Sequence, residues 1–271
     1  MIPETSPKIG QFLSSFARSA RPLLLLDYDG TLAPFRLDRF KARPWAGVRD
    51  VLKKIQRQGR TRITVVSGRP SGEVAQLLAL EPMPEIWGLH GSERLHADGR
   101  RELERLPAET QAGLDAVREQ LRRDSFGGLF EDKPNAAVMH WRGASPQKAA
   151  EIEARTRELF EPLARIQGVT LLQFEAGLEL RAGRDKGGAV RAIMEEAFTG
   201  SSCAAPVSYL GDDITDESAF IAVNNSSGPH LSALVRRQWR TTAADVWLHP
   251  PQELLAFLRQ WLEAAETSPL R

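Results

Sequence analysis

The amino-acid sequence predicts an α/β fold: a doubly wound parallel sheet interrupted by a smaller, inserted α+β domain. The first part of this prediction depends on four short apolar runs, which are Leu23–Leu26, Ile63–Val66, Ile86–Leu89 and Val207–Leu210. Runs of this length between turn residues are typical of strands buried on both faces of a parallel sheet. Helical patterns separate the runs, and this alternation favours a sheet with helices on both faces.

A change of pattern between residues 105 and 181 indicates the inserted domain. The order helix, strand, strand occurs twice there, as an αββαββ unit. Its predicted elements are Glu109–Arg123, Leu129–Lys133, Ala136–Arg142, Pro146–Phe160, Val169–Phe174 and Leu178–Arg181. Such a unit forms an antiparallel sheet with helices on one face. We therefore expect a core domain from residues 1–104 and 182–271, and a cap domain from residues 105–181.

Helices with one apolar face are expected to cover the core sheet. Pro44 is predicted to open the helix that contains Val48, Val51, Leu52 and Ile55, and Gly59 to end it. The other predicted core helices are an amphipathic N-terminal helix through Ile9, Phe12, Leu13 and Phe16, a helix through Val74, Leu77 and Leu78, and the segments Gly187–Phe198, Asp216–Val223 and Leu254–Leu262.

Composition limits the partners that the protein can have. Among 271 residues, 36 Lys and Arg nearly balance 35 Asp and Glu, so no global field favours nucleic acid or an anionic membrane. The single cysteine, Cys203, cannot form an intrachain disulfide and is interpreted as a small structural residue. No apolar run is typical of a signal peptide or a membrane helix. These features predict a soluble, cytoplasmic monomer without nucleic-acid or membrane partners.

Polar residues follow the predicted strands at the point where each strand ends. They are Asp27 and Asp29 after the first strand, Ser67 after the second, and Asp212 and Asp213 after the last. Carboxyl ends of parallel strands meet at one edge of a sheet, where open α/β sheets bind ligands. Lys186 begins the helix that leads out of the inserted domain. These residues predict a reaction centre for phosphoryl transfer at this edge.

Each residue type has a role in that chemistry. Asp27 is the candidate nucleophile, because a carboxylate can form an aspartyl-phosphate that splits one displacement into two. Asp29 would protonate the leaving oxygen and later accept a proton from water. Lys186 and the Ser67 hydroxyl would contact and orient the phosphate. Each residue alone also has an ordinary structural interpretation, such as a turn or a helix start, and only the combination favours catalysis.

The same edge of the sheet is predicted to bind Mg²⁺, which prefers carboxylate and carbonyl oxygens. The side chains of Asp27 and Asp212 and the backbone carbonyl of Asp29 are the expected ligands. The ion would reduce the repulsion between an anionic phosphate and an anionic nucleophile. Gly30 suits a tight turn out of the strand, and Thr31, Gly68 and Arg69 are assigned to substrate binding.

These residues resemble the four motifs of the haloacid-dehalogenase-like phosphatase superfamily. The first motif is Asp27-Tyr28-Asp29-Gly30-Thr31-Leu32, the second Ser67, the third Lys186 and the fourth Gly211-Asp212-Asp213. The resemblance implies the roles given above, a core domain with an inserted cap, and support of the metal shell by Asp213 or Asp216.

A narrower resemblance, to the trehalose-6-phosphate phosphatase family, spans about Leu23 to Phe220. It rests on Gly88-Leu89-His90-Gly91-Ser92-Glu93, Glu131-Asp132-Lys133, His140-Trp141-Arg142, Glu179-Leu180-Arg181, Asp185-Lys186-Gly187 and Gly211-Asp212-Asp213-Ile214-Thr215-Asp216-Glu217. It implies a sugar phosphate as substrate, a mobile cap that closes over the sugar, and a synthase as a conceivable partner. Charged cap residues would bind sugar hydroxyls; they are Glu131, Lys133, His140, Arg142 and Glu179, of which His140 and Arg142 are predicted to share one strand face.

Three alternatives remain at this point. Phosphatases of other glycosyl phosphates, such as glucosyl- or mannosyl-phosphoglycerate, would use the same catalytic residues. A phosphomutase would share the aspartyl-phosphate chemistry. A catalytically silent sugar-phosphate sensor, or a regulatory partner of a synthase, could keep the fold without the chemistry; the presence of Asp27, Asp29, Lys186 and Asp212 argues against it.

Overall fold

The computed structural model describes residues 6–18, 21–36, 38–124, 126–174, 176–199 and 205–267. The chain forms two compact units. The first consists of Met1–Leu103 and Asp185–Arg271, and the second of Glu104–Arg184. The interpretation of Cys203 lies outside the described residues.

Twelve strands are found in the described ranges, numbered along the chain. They are β1 (Leu23–Leu26), β2 (Arg62–Val66), β3 (Glu85–Gly88), β4 (Glu93–Leu95), β5 (Arg101–Leu103), β6 (Phe130–Lys133), β7 (Ala136–His140), β8 (Val169–Phe174), β9 (Gly177–Ala182), β10 (Val207–Gly211), β11 (His230–Val235) and β12 (Val246–Leu248). The first unit contains an eight-stranded sheet in the order β12-β11-β10-β1-β2-β3-β4-β5. Its strands are parallel from β12 to β3, whereas β4 and β5 extend it as antiparallel edge strands.

The central strand β1 shows why strands of this sheet are continuous apolar runs in the sequence. All four of its leucines are buried. Leu24 and Leu26 pack into one apolar cluster and Leu23 and Leu25 into another, because successive side chains point to opposite faces of a strand. Both faces are therefore covered, as the predicted doubly wound fold requires.

Helices cover the two faces of this sheet in separate layers. The α-helices of the described chain are α1 (Pro7–Ser14), α2 (Val48–Gln58), α3 (Ser71–Leu78), α4 (Ala108–Arg123), α5 (Pro146–Ala164), α6 (Lys186–Phe198), α7 (Glu217–Asn224) and α8 (Gln252–Thr267). Helices α1, α2, α3 and α8 contribute to one cluster, and α6 and α7 to the other. None of the helices in the described ranges is both long enough and apolar enough to cross a lipid bilayer.

Two predicted boundaries are wrong for the same reason. Pro44 does not open a helix; α2 begins at Val48, because Gly47 adopts a φ of 86° that is incompatible with a right-handed helix. The third strand ends at Gly88 and not at Leu89, because Leu89 and His90 adopt φ angles of 49° and 59°. Gly59 does end α2, with a φ of 69°.

Four strands have no counterpart in the sequence prediction: β4, β5, β11 and β12. Strands β4 and β5 have three residues each, and all three residues of β5 are exposed, so neither strand carries an apolar run. Strand β11 is buried from Leu231 to Val235, but Ser232 interrupts its apolar pattern.

The second unit is the αββαββ arrangement that the sequence predicts. Its antiparallel sheet has the order β6-β7-β9-β8. Apolar residues of β7 and β9 form one core with residues of α4 and α5. Strand β7 ends at His140, so Arg142 lies in the following turn and does not share a strand face with His140 as predicted.

Candidate active site

Asp27 lies directly after β1, at the centre of the core sheet. Its backbone N–H donates to the Leu210 carbonyl at 2.8 Å, which extends the ladder between β1 and β10 by one residue. The residue is only 2% exposed. The Thr31 hydroxyl donates to Asp27 Oδ2 at 3.1 Å, and this bond fixes the orientation of the carboxylate. The structure thus places Thr31, which is assigned to substrate binding, against the candidate nucleophile.

Lys186 is the first residue of α6 and its ammonium lies against Asp27. The Asp185 side chain caps the helix by accepting from the Gly188 N–H at 2.7 Å. Lys186 Nζ donates to Asp27 Oδ1 and to Asp216 Oδ1, both at 2.7 Å. Burial lowers the pKa of Lys186, but the attraction of Asp216 and Asp27 outweighs it and holds the pKa above its ordinary value. The ammonium is therefore a fixed positive charge.

Asp216 is fully buried and accepts hydrogen bonds at both oxygens. Oδ1 accepts from Lys186 and from the Tyr209 hydroxyl at 2.5 Å. Oδ2 accepts from the backbone N–H groups of Asp212 and Asp213 at 3.0 and 2.9 Å. Asp216 consequently connects the ammonium of Lys186 to the loop that carries Asp212.

Asp212, by contrast, has a buried carboxylate without a partner. The residue is 4% exposed, and no described residue donates a hydrogen bond to its side chain or forms an ion pair with it. Burial raises its pKa most, and repulsion from Asp27 and Asp216 raises it further. Burial likewise raises the pKa of Asp27, although Lys186 partly offsets this. Three carboxylates thus face one ammonium, which leaves an excess of negative charge.

The tight turn after β1 brings this carboxylate close to the nucleophile. Gly30 has a φ of 79°, and a Cβ atom at this position would lie 2.0 Å from Asp212 Oδ2. Only glycine fits both the left-handed backbone and this close approach. The prediction that Gly30 forms a tight turn is confirmed, and the approach of Asp212 is an additional reason for it.

This arrangement suits a divalent cation. Oxygens of Asp27, Asp212 and Asp216 lie within 4.8 Å of one another. Mg²⁺ prefers such hard oxygen donors, and buried carboxylates without a counter-charge are costly. Because Asp216 already accepts four hydrogen bonds, Asp27 and Asp212 are the better-suited ligands. Asp213 is about half exposed and lies 3.8 Å from Arg236, outside this group of three.

Ser67 follows β2 and is held by backbone contacts from β3 and the loop after it. Its N–H donates to the Trp87 carbonyl, and its own carbonyl accepts from the His90 N–H, both at 2.8 Å. A Cβ atom on Gly68 would lie 2.7 Å from the His90 ring, so the imidazole packs directly on this glycine. The left-handed His90 therefore supports the loop of Ser67.

Asp29 pairs with Arg69, which the sequence analysis does not foresee. Arg69 Nε and Nη2 donate to the two oxygens of Asp29 at 2.5 and 2.7 Å. Arg69 Nη1 donates to the Arg39 carbonyl at 2.7 Å. The guanidinium is thus occupied by protein groups within the core unit.

In the second unit, the charged strand residues that the sequence selects share the sheet face opposite α4 and α5. Glu131 lies opposite Val138, which in turn lies opposite Glu179, and directly opposed residues point to the same face. Glu131 contacts His140 at 3.0 Å, and Lys133 lies 3.7 Å from Glu179. Arg181 lies in register with Ala136 and Lys133, so it belongs to this face too, although the sequence analysis does not select it.

The contacts of two buried residues at the core site, Tyr209 and Arg69, are not predicted from the sequence. Tyr209 is a strand residue whose hydroxyl reaches Asp216, and burial raises its pKa well above the ordinary value. The sequence predicts that Arg69 binds substrate, and it does not predict the contact between Arg69 and Asp29. Tyr209 lies two residues before Gly211-Asp212 in β10, and this spacing is the only sequence signal that points towards the site.

Comparisons with known proteins place the chain in a family. The family model described as trehalose-phosphatase matches residues 25–245, well over half of the chain. A trehalose-phosphate phosphatase of Mycobacterium tuberculosis (strain H37Ra) is 30% identical over 263 residues, covering 93% of this chain and 64% of the relative. That of Mycobacterium marinum is 31% identical over 249 residues, covering 88% and 60%. The chain therefore spans less than two thirds of the length of these relatives.

Solved structures share the fold. A trehalose-6-phosphate phosphatase of Aspergillus fumigatus aligns with a TM-score of 0.72 at 24% identity, covering 94% of this chain and 97% of that one. A haloacid-dehalogenase-like hydrolase from B. subtilis aligns with a TM-score of 0.59 at 16% identity, covering 88% and 98%. The predicted haloacid-dehalogenase-like fold is thereby confirmed. Together with the family-model match, these findings show that the chain belongs to the trehalose-phosphatase family.

Proposed function

We propose that this protein is a Mg²⁺-dependent phosphatase that hydrolyses trehalose 6-phosphate to trehalose and phosphate through an aspartyl-phosphate on Asp27. The observation that carries the proposal is the placement of Lys186 Nζ 2.7 Å from Asp27, beside the unpaired carboxylate of Asp212. A phosphate next to Asp27 would meet an ammonium on one side and the expected cation site on the other. Membership of the trehalose-phosphatase family supports the choice of substrate.

The first half of the reaction transfers the phosphoryl group to the protein. A carboxylate oxygen of Asp27 attacks phosphorus, the bond between phosphorus and the sugar oxygen breaks, and that oxygen takes a proton from Asp29. Thr31 holds the nucleophile in one orientation through its bond to Oδ2. Lys186 and the Ser67 loop offset the charge on the phosphoryl oxygens.

The second half releases phosphate. Water attacks phosphorus, Asp29 accepts a proton from the water, and the bond between Asp27 and phosphorus breaks, which restores the carboxylate. The residues suited to Mg²⁺ are Asp27 and Asp212, together with the carbonyl of Asp29 as the sequence predicts. When bound, the ion lowers the repulsion between the phosphate and Asp27 and polarises a phosphoryl oxygen.

We assign recognition of the sugar to the second unit. Its sheet carries partly exposed charged groups on one face, where charged donors and acceptors can exchange a protein partner for a sugar hydroxyl. The residues concerned are Glu131, Lys133, His140 and Glu179, with Arg142 in the turn after β7. This assignment predicts that these side chains affect sugar phosphates more than simple phosphate esters.

A substrate panel tests the proposal. Phosphate release is measured with Mg²⁺ from trehalose 6-phosphate, glucose 6-phosphate, sucrose 6-phosphate and glucosylphosphoglycerate, with Asp27→Asn as the inactive control. The proposal predicts the highest kcat/KM for trehalose 6-phosphate. A clear preference for another member would keep the mechanism and reject the substrate. No release from any of them by folded protein would reject the enzyme and favour a sensor, and transfer of phosphate between hydroxyls would indicate a mutase.

A further inference from the structure

The side chain of Arg69 lies at the edge of the core site and is nearly buried, with 10% of its area exposed. Its three guanidinium nitrogens are all engaged. Nε and Nη2 form the two-pronged contact with Asp29, and Nη1 binds the Arg39 carbonyl. Glu73 lies 3.7 Å from the same group. A guanidinium bound in this way holds a carboxylate in one plane and at one distance.

The backbone that carries Arg69 is equally constrained. Its N–H donates to the Ser67 hydroxyl at 3.2 Å, and its carbonyl accepts from the Leu89 N–H at 2.9 Å. A Cβ atom on Gly88 would lie 2.8 Å from the same carbonyl, so the two segments are in direct contact. Arg69 is therefore held at both its backbone and its guanidinium. Through these contacts it connects the Ser67 loop to the carboxylate of Asp29.

These contacts argue against the expectation that Arg69 binds substrate. Three of the five N–H groups of Arg69 already bind Asp29 and Arg39, and the side chain is only 10% exposed, so its contacts are mainly with protein oxygens. The hydrogen bonds that Arg69 donates to Asp29 are the largest influence on the pKa of Arg69 and raise it, so the guanidinium stays charged. The contacts instead connect Arg69 to the acid–base residue of the proposed reaction.

We propose that Arg69 is a positioning residue that sets the orientation of Asp29 for proton transfer to and from the substrate. The inference rests on the proposed function. Each carboxyl oxygen of Asp29 has a second lone pair that can carry a proton while the first accepts from Arg69. When the bond between phosphorus and the sugar oxygen breaks, one oxygen of Asp29 gives such a proton to the departing sugar oxygen while Arg69 holds the carboxyl group in place. In the second half, the freed Asp29 oxygen takes a proton from water, and phosphate leaves Asp27.

The test compares two leaving groups, because only one of them needs a proton. A sugar alkoxide leaves poorly without protonation, whereas the phenolate of p-nitrophenyl phosphate leaves without it. The quantity compared is kcat/KM, which reports the steps up to departure of the leaving group. We expect Arg69→Gln to lower kcat/KM for trehalose 6-phosphate by about 10-fold or more and that for p-nitrophenyl phosphate by less than about 3-fold.

Two further variants sharpen the test. Arg69→Lys keeps the charge but not the two-pronged geometry, so it should give a smaller loss with the same substrate pattern. Combining Arg69→Gln with Asp29→Asn should cost no more than Asp29→Asn alone, because Arg69 acts through Asp29. Arg43→Gln is the matched control: its guanidinium binds the carbonyls of Gln76 and Leu77 on α3 and does not touch Asp29, and its rates should match the wild type.

Three results would overturn the inference. Equal losses on both substrates would make Arg69 a ligand of the phosphate. No loss on either would make the pair purely structural. Additive losses in the double variant would mean that Arg69 acts independently of Asp29. If the wild type ignores trehalose 6-phosphate, the proposed substrate is wrong, and the same comparison is made with the alkyl phosphate that the panel identifies as hydrolysed fastest.

Discussion

One contact between acidic and basic side chains in each compact unit shows opposite degrees of burial: Lys186 with its carboxylates in the core unit, and Glu131 with His140 in the second unit. In the core unit, Lys186 is 4% exposed and its partners Asp27 and Asp216 are 3% and 0% exposed. In the second unit, Glu131 and His140 are 38% and 41% exposed. The two contacts are therefore expected to contribute differently to the free energy of unfolding.

The two contributions differ because water can solvate an exposed charge that loses its partner but cannot reach a buried one. A buried charge that loses its partner has no solvent to compensate it, so breaking such a pair destabilises a protein by about 3–5 kcal/mol. An exposed pair contributes about 0–1 kcal/mol, because water solvates both groups when it opens. The buried contacts suit fixed chemistry at phosphorus, and the exposed contacts suit the exchange of one partner for a sugar hydroxyl.

The largest expected effect comes from the nucleophile. Asp27→Asn should lower kcat by on the order of 10⁴-fold or more, because an amide cannot form the aspartyl-phosphate. Lys186 retains its contact with Asp216 at 2.7 Å, so the fold should persist. Circular dichroism checks the fold and phosphate release checks the rate. Substantial turnover by the folded variant would remove Asp27 from this role.

Removal of the cation should be nearly as severe but reversible. EDTA should stop phosphate release and added Mg²⁺ should restore it. Mg²⁺ should also raise Tm, because a ligand of the folded state stabilises it by mass action. Asp212→Asn should abolish this shift, whereas Asp98→Asn, an exposed acid in a turn of the core unit, should retain it. Indifference of rate and Tm to EDTA would refute the metal assignment.

Removal of Asp216, the second carboxylate bound to Lys186, tests whether buried and exposed contacts differ in their contribution to stability. Asp216→Ala leaves the Tyr209 hydroxyl and two backbone N–H groups without their acceptor and removes one partner of Lys186. The free energy of unfolding should fall by about 3–5 kcal/mol in urea titrations. Glu119→Ala removes the exposed pair with Arg123 and should cost less than about 1 kcal/mol. Similar losses in both variants would invalidate the contrast.

Substitution of Glu131 should have the smallest effect on stability but should weaken binding of the sugar substrate selectively. Glu131→Ala should change the free energy of unfolding by less than about 1 kcal/mol. It should raise KM for trehalose 6-phosphate while leaving KM for p-nitrophenyl phosphate unchanged, because only the former has a sugar to bind. If both KM values rise equally, the second unit does not recognise the sugar.

Much of the core could be predicted because single residues carry strong local signals. The four leucines of β1 identify a strand buried on both faces, and the position of Asp27 and Asp29 follows from where that strand ends. Asp212 likewise follows from the end of a predicted strand and Lys186 from a predicted helix start, and the family motif supports both. Their mutual placement is supported by the topology, since β10 and β2 flank β1 on its two sides.

The parts that were missed depend on contacts distant in sequence. Arg69 and Asp29 are 40 residues apart, and no local pattern indicates their pairing. Similarly, the left-handed backbone of Leu89 and His90 is set by its contacts with the Ser67 loop and not by residue type, because neither is glycine. Strand β5 was missed because exposed edge strands lack an apolar run.

The most direct test of the central claim is to identify the phosphorylated residue during turnover. The protein is mixed with trehalose 6-phosphate and Mg²⁺, quenched in acid, digested and examined by peptide mass spectrometry. We expect one phosphoryl group on Asp27 in the wild type and none in Asp27→Asn. Phosphate release accompanied by modification of a different residue would contradict it.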